Sequence, residues 1–563
     1  MKCNYCEIKC EIREGKEGHC RMFTNVGDVI REKFPDMYLS IYPTTIETVP
    51  MMHYYPRNRF LVVSTIGCNF SCEGCVSGLI TTNCDLVSKA MKCIPPEEMI
   101  QKVREENCTG VVFCLNEPTV AFPSFMRLAK AARAEGLTVG CSSNGYMTEE
   151  TVSRLIPYLD FVNIGLKGYS DERYRECGVG SFEPVFRNIR MLHDAGVHLE
   201  VSMMYIKGRE EELLKAAQFL GGLSPDIPLQ VMRFMPFGSA SDEMEPHVSE
   251  AERLCKEAGR YLNYVYLFNS IGTDLLNTHC PKCNATVISR GFNGPMGAKV
   301  ESFLERGICT CGYQIPMKGT IANEAYSEPR FLGGYRITCG MESIHELFGV
   351  LGVTDNKTFQ DIWPVVMNSN YMATYHERLE NIPRYLETVE EFGNMTGTEK
   401  KAIRIINYLK DTINEVSSQV EKVPMPRVYY TMGHPFISMH ASKLENKLVE
   451  IAGGFSLNNV INSGERQNST ISVEEINKLN PDIILFSGNM GFSVPEFYDF
   501  CHENKIDVDA VSNHRISRLE GSRWRFGSPM WFASLLDIAN HIHPEIFNYN
   551  IGEEIEKFNI SIK

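Results

Sequence analysis

The sequence lacks several features that would mark particular classes of protein. Its 563 residues contain no run of about eighteen uninterrupted apolar side chains, the length that a membrane-spanning helix needs. Basic residues do not predominate, and a net charge of −14 disfavours a general nucleic-acid binder. The N-terminal Met-Lys-Cys-Asn-Tyr-Cys lacks the apolar segment of a secretory signal. We therefore expect a cytoplasmic protein whose function involves neither nucleic acid nor a membrane.

Cysteine, by contrast, is abundant. The chain has 20 cysteines, and without an export signal they are expected to meet a reducing cytosol, where thiols bind metal rather than form disulfides. The length suits two or three domains, each with its own core. A hydrophobic content of 43% and a charged content of 22% are ordinary for a soluble globular protein. Three groups of cysteines have the spacing of metal ligands.

One group follows the apolar run 60–63, which predicts a buried strand. Cys68, Cys72 and Cys75 have the spacing C-x3-C-x2-C. Three thiolates this close can hold three irons of a [4Fe-4S] cluster, and the fourth iron is then left without a protein ligand from this loop. A zinc loop and three unrelated core thiols are the alternatives.

From residue 51 to about 275, strand-like runs alternate with amphipathic helical stretches. We predict strands at 109–114, 137–141 and 161–164, and helices at 95–107, 123–135, 148–158 and 182–195. This alternation indicates an α/β domain in which crossover helices join the strands of a parallel sheet. The length suits a partial (β/α)6 barrel of the TIM-like kind, in which the chemistry lies at the C-terminal ends of the strands.

Polar residues follow the predicted strands and are candidates for binding a cofactor. They are Asn116, Glu117 and Pro118 after the second strand, Ser142 and Asn144 after the third, Lys167 after the fourth, and Arg233 after a later apolar run. Taken singly, an Asn-Gly turn or a buried lysine is more often structural than functional. Several of them in register within one domain are more informative.

Together with the cysteine loop, these motifs resemble those of the radical S-adenosylmethionine (AdoMet) enzymes. The resemblance implies that AdoMet chelates the open iron of the cluster. An electron from a flavodoxin- or ferredoxin-like reductant then cleaves AdoMet to a 5′-deoxyadenosyl radical. The resemblance makes Cys68, Cys72 and Cys75 catalytic. It also assigns the strand-end residues to AdoMet, with Glu117 near its amino group and Lys167 available to a carboxylate.

Three positions depart from the pattern of that family. Gly74 stands where an aromatic residue is usual, Gly165 where aspartate is usual, and Gln230 where histidine is usual. We expect the last two to lie where a substrate would be reached. These two differences put in doubt that the chain performs the reaction of the pyruvate formate-lyase activating enzyme, to which the N-terminal motif described next is similar. They do not put the generation of a radical in doubt.

A second group of cysteines lies at the N-terminus and consists of Cys3, Cys6, Cys10 and Cys20. Four thiols this close can form a tetrahedral zinc or iron site, or a second cluster. With Gly15 and Gly18, the group resembles the start of the branch called the AmmeMemoRadiSam system, close to the pyruvate formate-lyase activating enzyme. The resemblance does not settle the metal.

A third group forms two knuckles, and it consists of Cys280, Cys283, Cys309 and Cys311. Paired knuckles of this kind resemble a zinc ribbon or a rubredoxin-like site, although the second is Cys-x-Cys rather than Cys-x2-Cys. Zinc and iron fit four thiolates equally well. A structural metal, a redox-active metal and no metal are all compatible with the spacing.

The character of the sequence changes after about residue 330. The informative features are the Gly-Gly at 453–454, Glu-Glu-Ile-x3-Asn-Pro-Asp-Ile-Ile at 474–484, Gly-Ser-Pro-x-Trp at 527–531 and His-Pro-Glu-x-Phe at 543–547. They resemble class III periplasmic binding proteins, which bind vitamin B12, ferric siderophores or haem. The resemblance implies two α/β lobes joined by a long helix, here 397–420. A degenerate α/β domain that only dimerises or braces the barrel is the alternative.

If this half binds a chelate, we expect a cleft lined from 429–440 and 515–531. His434 and His440 are candidate metal ligands, although each singly is more often an ordinary loop histidine. Arg515, Arg518 and Arg525 are candidates for pairing with carboxylates or a phosphate of a large chelate, although such arginines are more often surface charges. Trp524 lies within the same stretch.

We thus predict a Cys-rich module at 1–50, a radical AdoMet barrel at 51–275, a four-cysteine knuckle at 276–325 and a binding-protein-like domain at 326–563. The favoured function is cobalamin-dependent radical C-methylation of a protein, a peptide or another unactivated carbon, with the last domain holding the cobalamin. The enzymatic alternatives are radical modification of a bound tetrapyrrole or metal chelate, and activation of a glycyl-radical enzyme. The non-enzymatic alternative is a cytosolic carrier or sensor of metal chelates.

Overall fold

The computed structural model describes residues 1–82, 84–88, 91–235, 240–270, 273–293, 296–326, 334–353, 358, 362, 366, 374–375, 377–461, 468–487, 492–519 and 527–563. The chain divides into two compact units. The first comprises Met1–Asn269 and Thr273–Thr338, and the second comprises Ser270–Gly272 and Cys339–Lys563. Among the described residues, none of the helices combines the length and the apolar composition that a membrane crossing requires.

The first unit contains fifteen strands within its described residues. They are β1 (Phe23–Asn25), β2 (Ile30–Glu32), β3 (Met37–Tyr38), β4 (Ser40–Thr45), β5 (Arg59–Ser64), β6 (Lys92–Cys93), β7 (Gly110–Phe113), β8 (Thr138–Ser143), β9 (Phe161–Leu166), β10 (His198–Tyr205), β11 (Leu229–Arg233), β12 (Val265–Phe268), β13 (Thr278–His279), β14 (Thr286–Phe292) and β15 (Ala298–Phe303). Its α-helices are Gly78–Thr82, Cys84–Val87, Pro96–Glu105, Phe122–Ala134, Glu149–Leu155, Asp171–Glu176, Glu183–Asp194, Glu210–Leu223 and Val248–Ala258.

Eight of these strands form the central sheet, in the order β12-β11-β10-β9-β8-β7-β5-β4. Within this sheet, all neighbouring strands are parallel except at one edge, where β4 pairs antiparallel with β5. Crossover helices separate most of the parallel strands, as the alternation in the sequence predicts. The prediction of an α/β fold with a mostly parallel, barrel-like sheet is confirmed.

The strand register brings the predicted site residues to one edge of this sheet. Val63 of β5 pairs with Phe113 of β7, which pairs with Cys141 of β8, and Ser143 of β8 pairs with Ile164 of β9. The C-terminal ends of these parallel strands therefore lie side by side. The cysteine loop and the polar residues that follow β7, β8 and β9 start from that edge, which is where barrel enzymes place their chemistry.

A buried polar cluster lies within the sheet, before the strand ends. The carboxylate of Glu200, which is fully buried, accepts hydrogen bonds from the backbone N–H groups of Met52 and His53 at 2.7 Å. Gln230 is also fully buried and hydrogen-bonds with Glu200 and Asn163. The amide groups of Gln230 are thus paired within this buried network, and the expectation that a substrate reaches this position stays a prediction.

Smaller sheets accompany the central one in the first unit. β1 and β2 form a hairpin near the N-terminus, and β3 pairs with β6. The strands β13, β14 and β15 form an antiparallel sheet that carries the third cysteine group. Cys280 and Cys309 belong to a hydrophobic cluster that joins side chains of this sheet to Tyr266 and Phe268 of β12, so the knuckles pack against the edge of the central sheet.

The C-terminal half contains helices at Gly334–Leu351, Ile382–Thr396, Glu399–Val420, Leu444–Ile451, Val473–Leu479, Val494–Glu503, Asp509–Ser512, Trp531–Ile542 and Ile551–Ser561. Its strands are β16 (Arg427–Thr431), β17 (Ile437–Met439), β18 (Phe455–Ser456), β19 (Asn468–Thr470), β20 (Ile483–Ser487) and β21 (Ile516–Leu519). They form one sheet in the order β19-β17-β16-β20-β21, with β18 beside β16. The long helix predicted at 397–420 is present. The stretch before this helix, 330–395, where the first of the two lobes is expected, falls partly outside the described residues.

Local signals explain why the second unit folds as predicted around 471–485. Ser472 caps the helix Val473–Leu479, because its hydroxyl accepts from the backbone N–H of Glu475 while the Glu475 carboxylate accepts from the N–H of Ser472. Asn480 ends the helix in a left-handed conformation, with φ +41°. The buried strand β20 follows directly.

We predict that Ser472→Ala lowers the free energy of unfolding of the second unit by about 1 kcal/mol, because the capping hydrogen bond is lost. All three tryptophans lie beyond residue 339, so tryptophan emission during urea unfolding reports on this unit. The matched control is Ser418→Ala, on an exposed face of the helix Glu399–Val420, which is expected to change the value by less than about 0.5 kcal/mol. Equal values for both variants would contradict the capping role.

Candidate functional site

The cysteine loop leaves β5 and turns at two glycines with positive φ. Gly67 has φ +83° and Gly74 has φ +67°, a region that residues with a Cβ rarely adopt. A Cβ at Gly74 would lie 3.0 Å from the ring of Phe234. Phe234 therefore occupies the space beside the loop, which gives a steric reason for glycine where relatives of the family have an aromatic residue.

Hydrogen-bond donors surround the three loop sulfurs. The backbone N–H of Phe70 lies 3.3 Å from the Cys68 sulfur, and the side-chain amide of Asn144 lies 3.8 Å from it. The backbone N–H of Ser77 donates to the Cys75 sulfur. Such donors stabilise thiolates and are a common feature of sulfur ligands in iron–sulfur sites.

Cys72 is the loop thiol whose ionisation is favoured. A hydrogen bond from the Cys177 thiol, together with the positive charges of Lys167 and Arg173, lowers the pKa of Cys72 to about 6. Burial raises the pKa of Cys68 and of Cys75 above the ordinary value. A metal cluster would supply the positive charge that those two thiolates need.

The separation of the loop sulfurs argues against a single ion. Among the described residues, only the third cysteine group has all its sulfurs within 4.8 Å of one another. One zinc ion with bonds of about 2.3 Å would hold sulfurs about 3.8 Å apart. The wider spacing of Cys68, Cys72 and Cys75 and their all-thiol donor set fit a [4Fe-4S] cluster better than a mononuclear zinc site.

Asn116 fixes the start of the cysteine loop. Its Oδ1 accepts from the backbone N–H of Thr65 at 3.0 Å, and its Nδ2 donates to the Thr65 hydroxyl and to the carbonyl of Gly67. Leu115, which precedes it, has φ +76°, an unfavourable conformation for a side chain with a Cβ. Strain of this kind often accompanies functional sites. The structure thus gives Asn116 a positioning role, and its contact with AdoMet stays a prediction.

Glu117 joins the ends of β7 and β8. Its buried carboxylate accepts hydrogen bonds from the Ser143 hydroxyl at 2.9 Å and from the backbone N–H of Asn144 at 2.7 Å. The N–H and hydroxyl of Thr119 also donate to it. These donors occupy most of the acceptor positions of a carboxylate. Glu117 therefore shapes the Asn144 turn, and its predicted bond to the AdoMet amino group is untested.

Two other predicted residues accompany that turn. Pro118 begins a short 3-10 turn, Pro118–Ala121, and is buried. Ser142 hydrogen-bonds with the thiol of Cys114, the residue that follows β7. Both residues lie at the same edge of the sheet as the cysteine loop.

Lys167 is a partly buried cation beside the sulfurs. Burial alone would lower the pKa of Lys167, but the nearby sulfurs of Cys72 and Cys177 raise it above the ordinary value. A Cβ at Gly165 would lie 3.8 Å from its Nζ. Within the described part of the chain, no carboxylate lies within ion-pair distance of Lys167. The glycine at 165 thus removes the nearest position for an internal counter-ion.

Arg233, at the end of β11, is already paired. Its guanidinium is buried, donates to the backbone carbonyl of Asn269 at 3.0 Å and forms an ion pair with Glu245 at 2.6 Å. These bonds tie together segments that follow β11 and β12. A contact of Arg233 with AdoMet stays a prediction and would require it to share these partners.

The third cysteine group forms a compact four-sulfur site. The sulfurs of Cys280 and Cys311 are 3.6 Å apart, and those of Cys283 and Cys309 are 3.4 Å apart. These distances are close to the edge of about 3.8 Å expected for a tetrahedron with metal–sulfur bonds of 2.3 Å. The residues fit one zinc or iron ion, as the knuckle spacing predicts.

The N-terminal cysteines have a different arrangement. All four line one pocket, but no three of their sulfurs lie within 4.8 Å of one another. Burial raises the pKa of Cys6 to about 11 and that of Cys20 to about 12. The structure thus brings Cys3, Cys6, Cys10 and Cys20 together without forming a compact tetrahedron.

His434 is the best candidate ligand in the C-terminal unit. Its ring packs against Phe436, Phe492 and Phe500 at centroid distances of 4.8–5.4 Å. Burial lowers the pKa of His434 to about 4, so the ring is neutral at pH 7. Its Nδ1 accepts from the backbone N–H of Phe436 at 3.2 Å, and among the described residues Nε2 has no hydrogen-bond partner. Because Nδ1 accepts this hydrogen bond, the proton of the neutral ring lies on Nε2, and Nε2 can bind a metal only if that proton moves to Nδ1.

The other C-terminal candidates are placed differently. His440 Nδ1 lies 2.9 Å from the Ser442 hydroxyl, in the turn before a helix. Arg515 donates to the carbonyls of His541 and Ile542, the last residues of the helix Trp531–Ile542, where a cation also interacts favourably with the helix dipole. Arg515 therefore has a structural role. Trp524 and Arg525 lie outside the described residues.

Three residues that shape the site are not among the candidates that the sequence pattern indicates. Cys177 donates to Cys72, Ser143 binds Glu117, and Asn69 accepts from Asn144 at 2.7 Å. Asn69 and Ser143 stand within or beside predicted motifs, so their positions were a signal. Cys177 belongs to no spaced group, and its proximity to Cys72 follows only from the fold.

Two family models match separate parts of the chain. Residues 62–220 match the model described as Radical SAM superfamily, and residues 349–521 match the model described as Periplasmic binding protein. The chain therefore contains a radical SAM domain and a binding-protein domain, as predicted. The radical SAM domain implies a [4Fe-4S] cluster and AdoMet, and the donor set of the cysteine loop fits that cluster.

Two relatives align with parts of the sequence. The uncharacterized protein MJ0808 of Methanocaldococcus jannaschii is 28% identical over 299 residues, which are 52% of this chain and 87% of that protein. The probable dual-specificity RNA methyltransferase RlmN of Shouchella clausii is 24% identical over 234 residues, 37% of this chain and 63% of that protein. The chain thus spans less than two thirds of the second relative.

Solved structures of binding proteins are also similar to part of the chain. An ABC transporter solute binding protein from Sulfurospirillum deleyianum has a TM-score of 0.27 and 20% identity, with 32% of this chain and 58% of that chain covered. Helicobacter pylori CeuE with Ni(II) bound has a TM-score of 0.29 and 18% identity, with the same coverage. The chain spans little more than half of these proteins, and TM-scores this low carry no argument about function.

We predict that acidification destabilises the second unit through His434. Because its folded pKa of about 4 lies below the unfolded value of about 6.5, the unfolded chain binds the extra proton between these values. The free energy of unfolding is therefore expected to fall by about 2 kcal/mol more between pH 7 and pH 5 in the natural chain than in His434→Phe. Urea unfolding followed by tryptophan emission measures it. Identical pH dependence in both proteins would show that His434 is not buried in neutral form.

Proposed function

We propose that the protein is a radical SAM enzyme that transfers a methyl group to an unactivated carbon, with a corrinoid held by the C-terminal unit. The observation that carries the proposal is the presence of a radical SAM domain and a binding-protein domain in one chain. A [4Fe-4S] cluster with AdoMet on its open iron supplies a 5′-deoxyadenosyl radical, and a corrinoid supplies a methyl group to a carbon radical. That carbon belongs to a protein, a peptide or another molecule.

The residues of the radical SAM domain have clear parts in this proposal. Cys68, Cys72 and Cys75 would hold the cluster. Asn144 orients its amide toward Cys68 because Glu117 fixes the turn that carries it. Lys167 would bind the AdoMet carboxylate, since it is partly buried beside the sulfurs and has no carboxylate partner within the described part of the chain. These parts are supported by the arrangement of the residues, and the bound cofactors themselves are inferred.

The case for a corrinoid rests on chemical reasoning and on His434. AdoMet methylates nucleophiles, whereas an unactivated carbon must first lose a hydrogen atom and then accept a methyl group from another donor. His434 packs against three phenylalanine rings, and its imidazole would bind the metal of a large chelate through Nε2 once the ring proton has moved to Nδ1. The methyltransferase name of the RlmN relative agrees with methyl transfer, although that match is distant.

We predict that Lys167→Gln raises the dissociation constant of AdoMet about 10- to 100-fold, because a charge-assisted hydrogen bond worth about 1.5–3 kcal/mol is lost. Equilibrium dialysis of the anaerobically reconstituted protein measures it, and the iron content is expected to stay the same. The control is Lys215→Gln, an exposed lysine paired with Glu211 on the helix Glu210–Leu223. Unchanged AdoMet affinity in Lys167→Gln would remove this residue from the binding site.

The proposed methyl transfer predicts two separable losses. Under reduction, the natural chain with AdoMet and hydroxocobalamin is expected to retain a corrinoid absorption band and to form S-adenosylhomocysteine together with 5′-deoxyadenosine. Cys75→Ala is expected to abolish 5′-deoxyadenosine while keeping the corrinoid. His434→Ala is expected to lose or shift the corrinoid band while keeping AdoMet cleavage.

The same titration includes haem as a competitor. Tight haem binding would favour modification of a bound tetrapyrrole. Formation of 5′-deoxyadenosine without corrinoid binding would favour the activation of a partner protein by hydrogen abstraction. Binding of a chelate without any AdoMet cleavage would favour a carrier or sensor. Each of these outcomes contradicts the methyltransferase.

A further inference from the structure

The N-terminal cysteines surround one pocket that the proposed function does not use. Its lining includes all four of these sulfur-bearing residues and three residues of the radical SAM domain. The lining residues are Cys3, Tyr5, Cys6, Ile8, Cys10, Gly18, His19, Cys20, Phe23, Asn69, Thr119 and Val120. Asn69 lies inside the loop that carries Cys68 and Cys72, so this pocket adjoins the predicted cluster site.

One sulfur of the pocket accepts a backbone hydrogen bond, since the N–H of His19 lies 3.4 Å from the Cys10 sulfur. The predicted cluster loop has the same arrangement at Cys68, where the N–H of Phe70 lies 3.3 Å from the sulfur. Such donors are a common feature of the sulfur ligands of clusters, and no lysine or arginine lines the pocket.

The separation of these sulfurs distinguishes a cluster from a single ion. The compact site at Cys280 and Cys309 shows how the chain builds a mononuclear centre, with sulfur pairs at 3.4 and 3.6 Å. No three of the N-terminal sulfurs lie within 4.8 Å of one another, although all face one pocket. Four irons and four sulfides between the thiolates would account for the wider spacing.

Asn69 connects this pocket to the cysteine loop. It is fully buried, and its Oδ1 lies 3.8 Å from the Cys68 sulfur. Within the described part of the chain, its Nδ2 group makes no hydrogen bond of ordinary length. Asn69 is one of the residues that line the pocket together with the four cysteines. A buried amide without a partner is a costly arrangement, and the sulfides of a cluster in this pocket could accept its hydrogen bond.

We propose that Cys3, Cys6, Cys10 and Cys20 hold a second [4Fe-4S] cluster, which passes electrons to the cluster site at Cys68, Cys72 and Cys75. A low-potential one-electron donor would reduce the N-terminal cluster from 2+ to 1+. That electron would then reduce the other cluster from 2+ to 1+, and the N-terminal cluster would return to 2+. No bond forms or breaks in this transfer. Asn69 lines the pocket, and its Oδ1 lies 3.8 Å from the Cys68 sulfur, so it stands between the two sites.

Whether the pocket holds a cluster is tested in a variant that cannot bind the radical SAM cluster. The full chain with Cys68→Ala, Cys72→Ala and Cys75→Ala is reconstituted anaerobically with iron and sulfide. We expect about four irons and about four acid-labile sulfides per chain, besides the one metal of the Cys280 site. Adding Cys3→Ser and Cys6→Ser is expected to remove the sulfide while the Cys280 site keeps its metal, which shows that the unit is folded. One zinc or iron at the N-terminus without sulfide would overturn the cluster.

The matched control for that measurement is Cys93→Ser. Cys93 is an exposed cysteine outside the three groups, so its replacement is expected to leave iron and sulfide unchanged. Because the triple alanine variant cannot cleave AdoMet, the occupancy result does not depend on the proposed methyl transfer. Failure of one is therefore distinguishable from failure of the other.

Electron paramagnetic resonance tests the transfer. When both clusters are reduced, their electron spins are expected to interact. This interaction would broaden the spectrum beyond the sum of the spectra of the two single-cluster variants. In Cys3→Ser/Cys6→Ser, reduction of the remaining cluster by a reduced flavodoxin is expected to slow at least about tenfold. Additive spectra, or an unchanged rate of reduction, would overturn the relay while leaving the cluster in place.

Discussion

The buried carboxylate of Glu117 links the turn that follows β7 to the end of β8, two of the strand ends on which the candidate site is built. A carboxylate without water carries a large cost, which must be offset by donors that point at it. Here Thr119 comes from its own turn, while Ser143 and Asn144 come from the end of the next strand. The same bonds that satisfy the charge fix the Asn144 turn. The position of the Asn144 amide beside Cys68 is therefore a consequence of satisfying one buried charge.

Short-range signals made much of this architecture predictable. The alternation of strands and helices and the cap at Ser472 depend on neighbouring residues, and the structure follows them closely. The partners of Glu117, Gln230 and Arg515 depend instead on which polar groups the fold leaves unsatisfied. Gln230 is taken by a buried network, and Arg515 by the open carbonyls of a helix end. Composition and spacing hold no information about that competition.

Three groups of cysteines illustrate the same limit at the level of metal sites. Spacing identified all three, since nearby thiols in a chain can converge on a metal. It left zinc, iron and clusters open, because the ligands are the same atoms in each case. The distances between sulfurs carry the missing information. The knuckle sulfurs are as close as one ion requires, whereas the loop and N-terminal sulfurs are spread more widely.

The chain has glycine at position 165, where aspartate is usual in the family, and the proximity of Lys167 explains what this difference does. An acidic side chain there would start 3.8 Å from the lysine nitrogen and could neutralise it within the protein. With glycine, no carboxylate lies within ion-pair distance of Lys167 in the described structure, and the Cys72 sulfur is foremost among the neighbours that favour its charged form. A cation held in this way retains attraction for an incoming anion, because no internal carboxylate competes for it. The departure from the family pattern thus strengthens the site for a carboxylate ligand, while it removes an acidic group from the part of the barrel where a substrate would react.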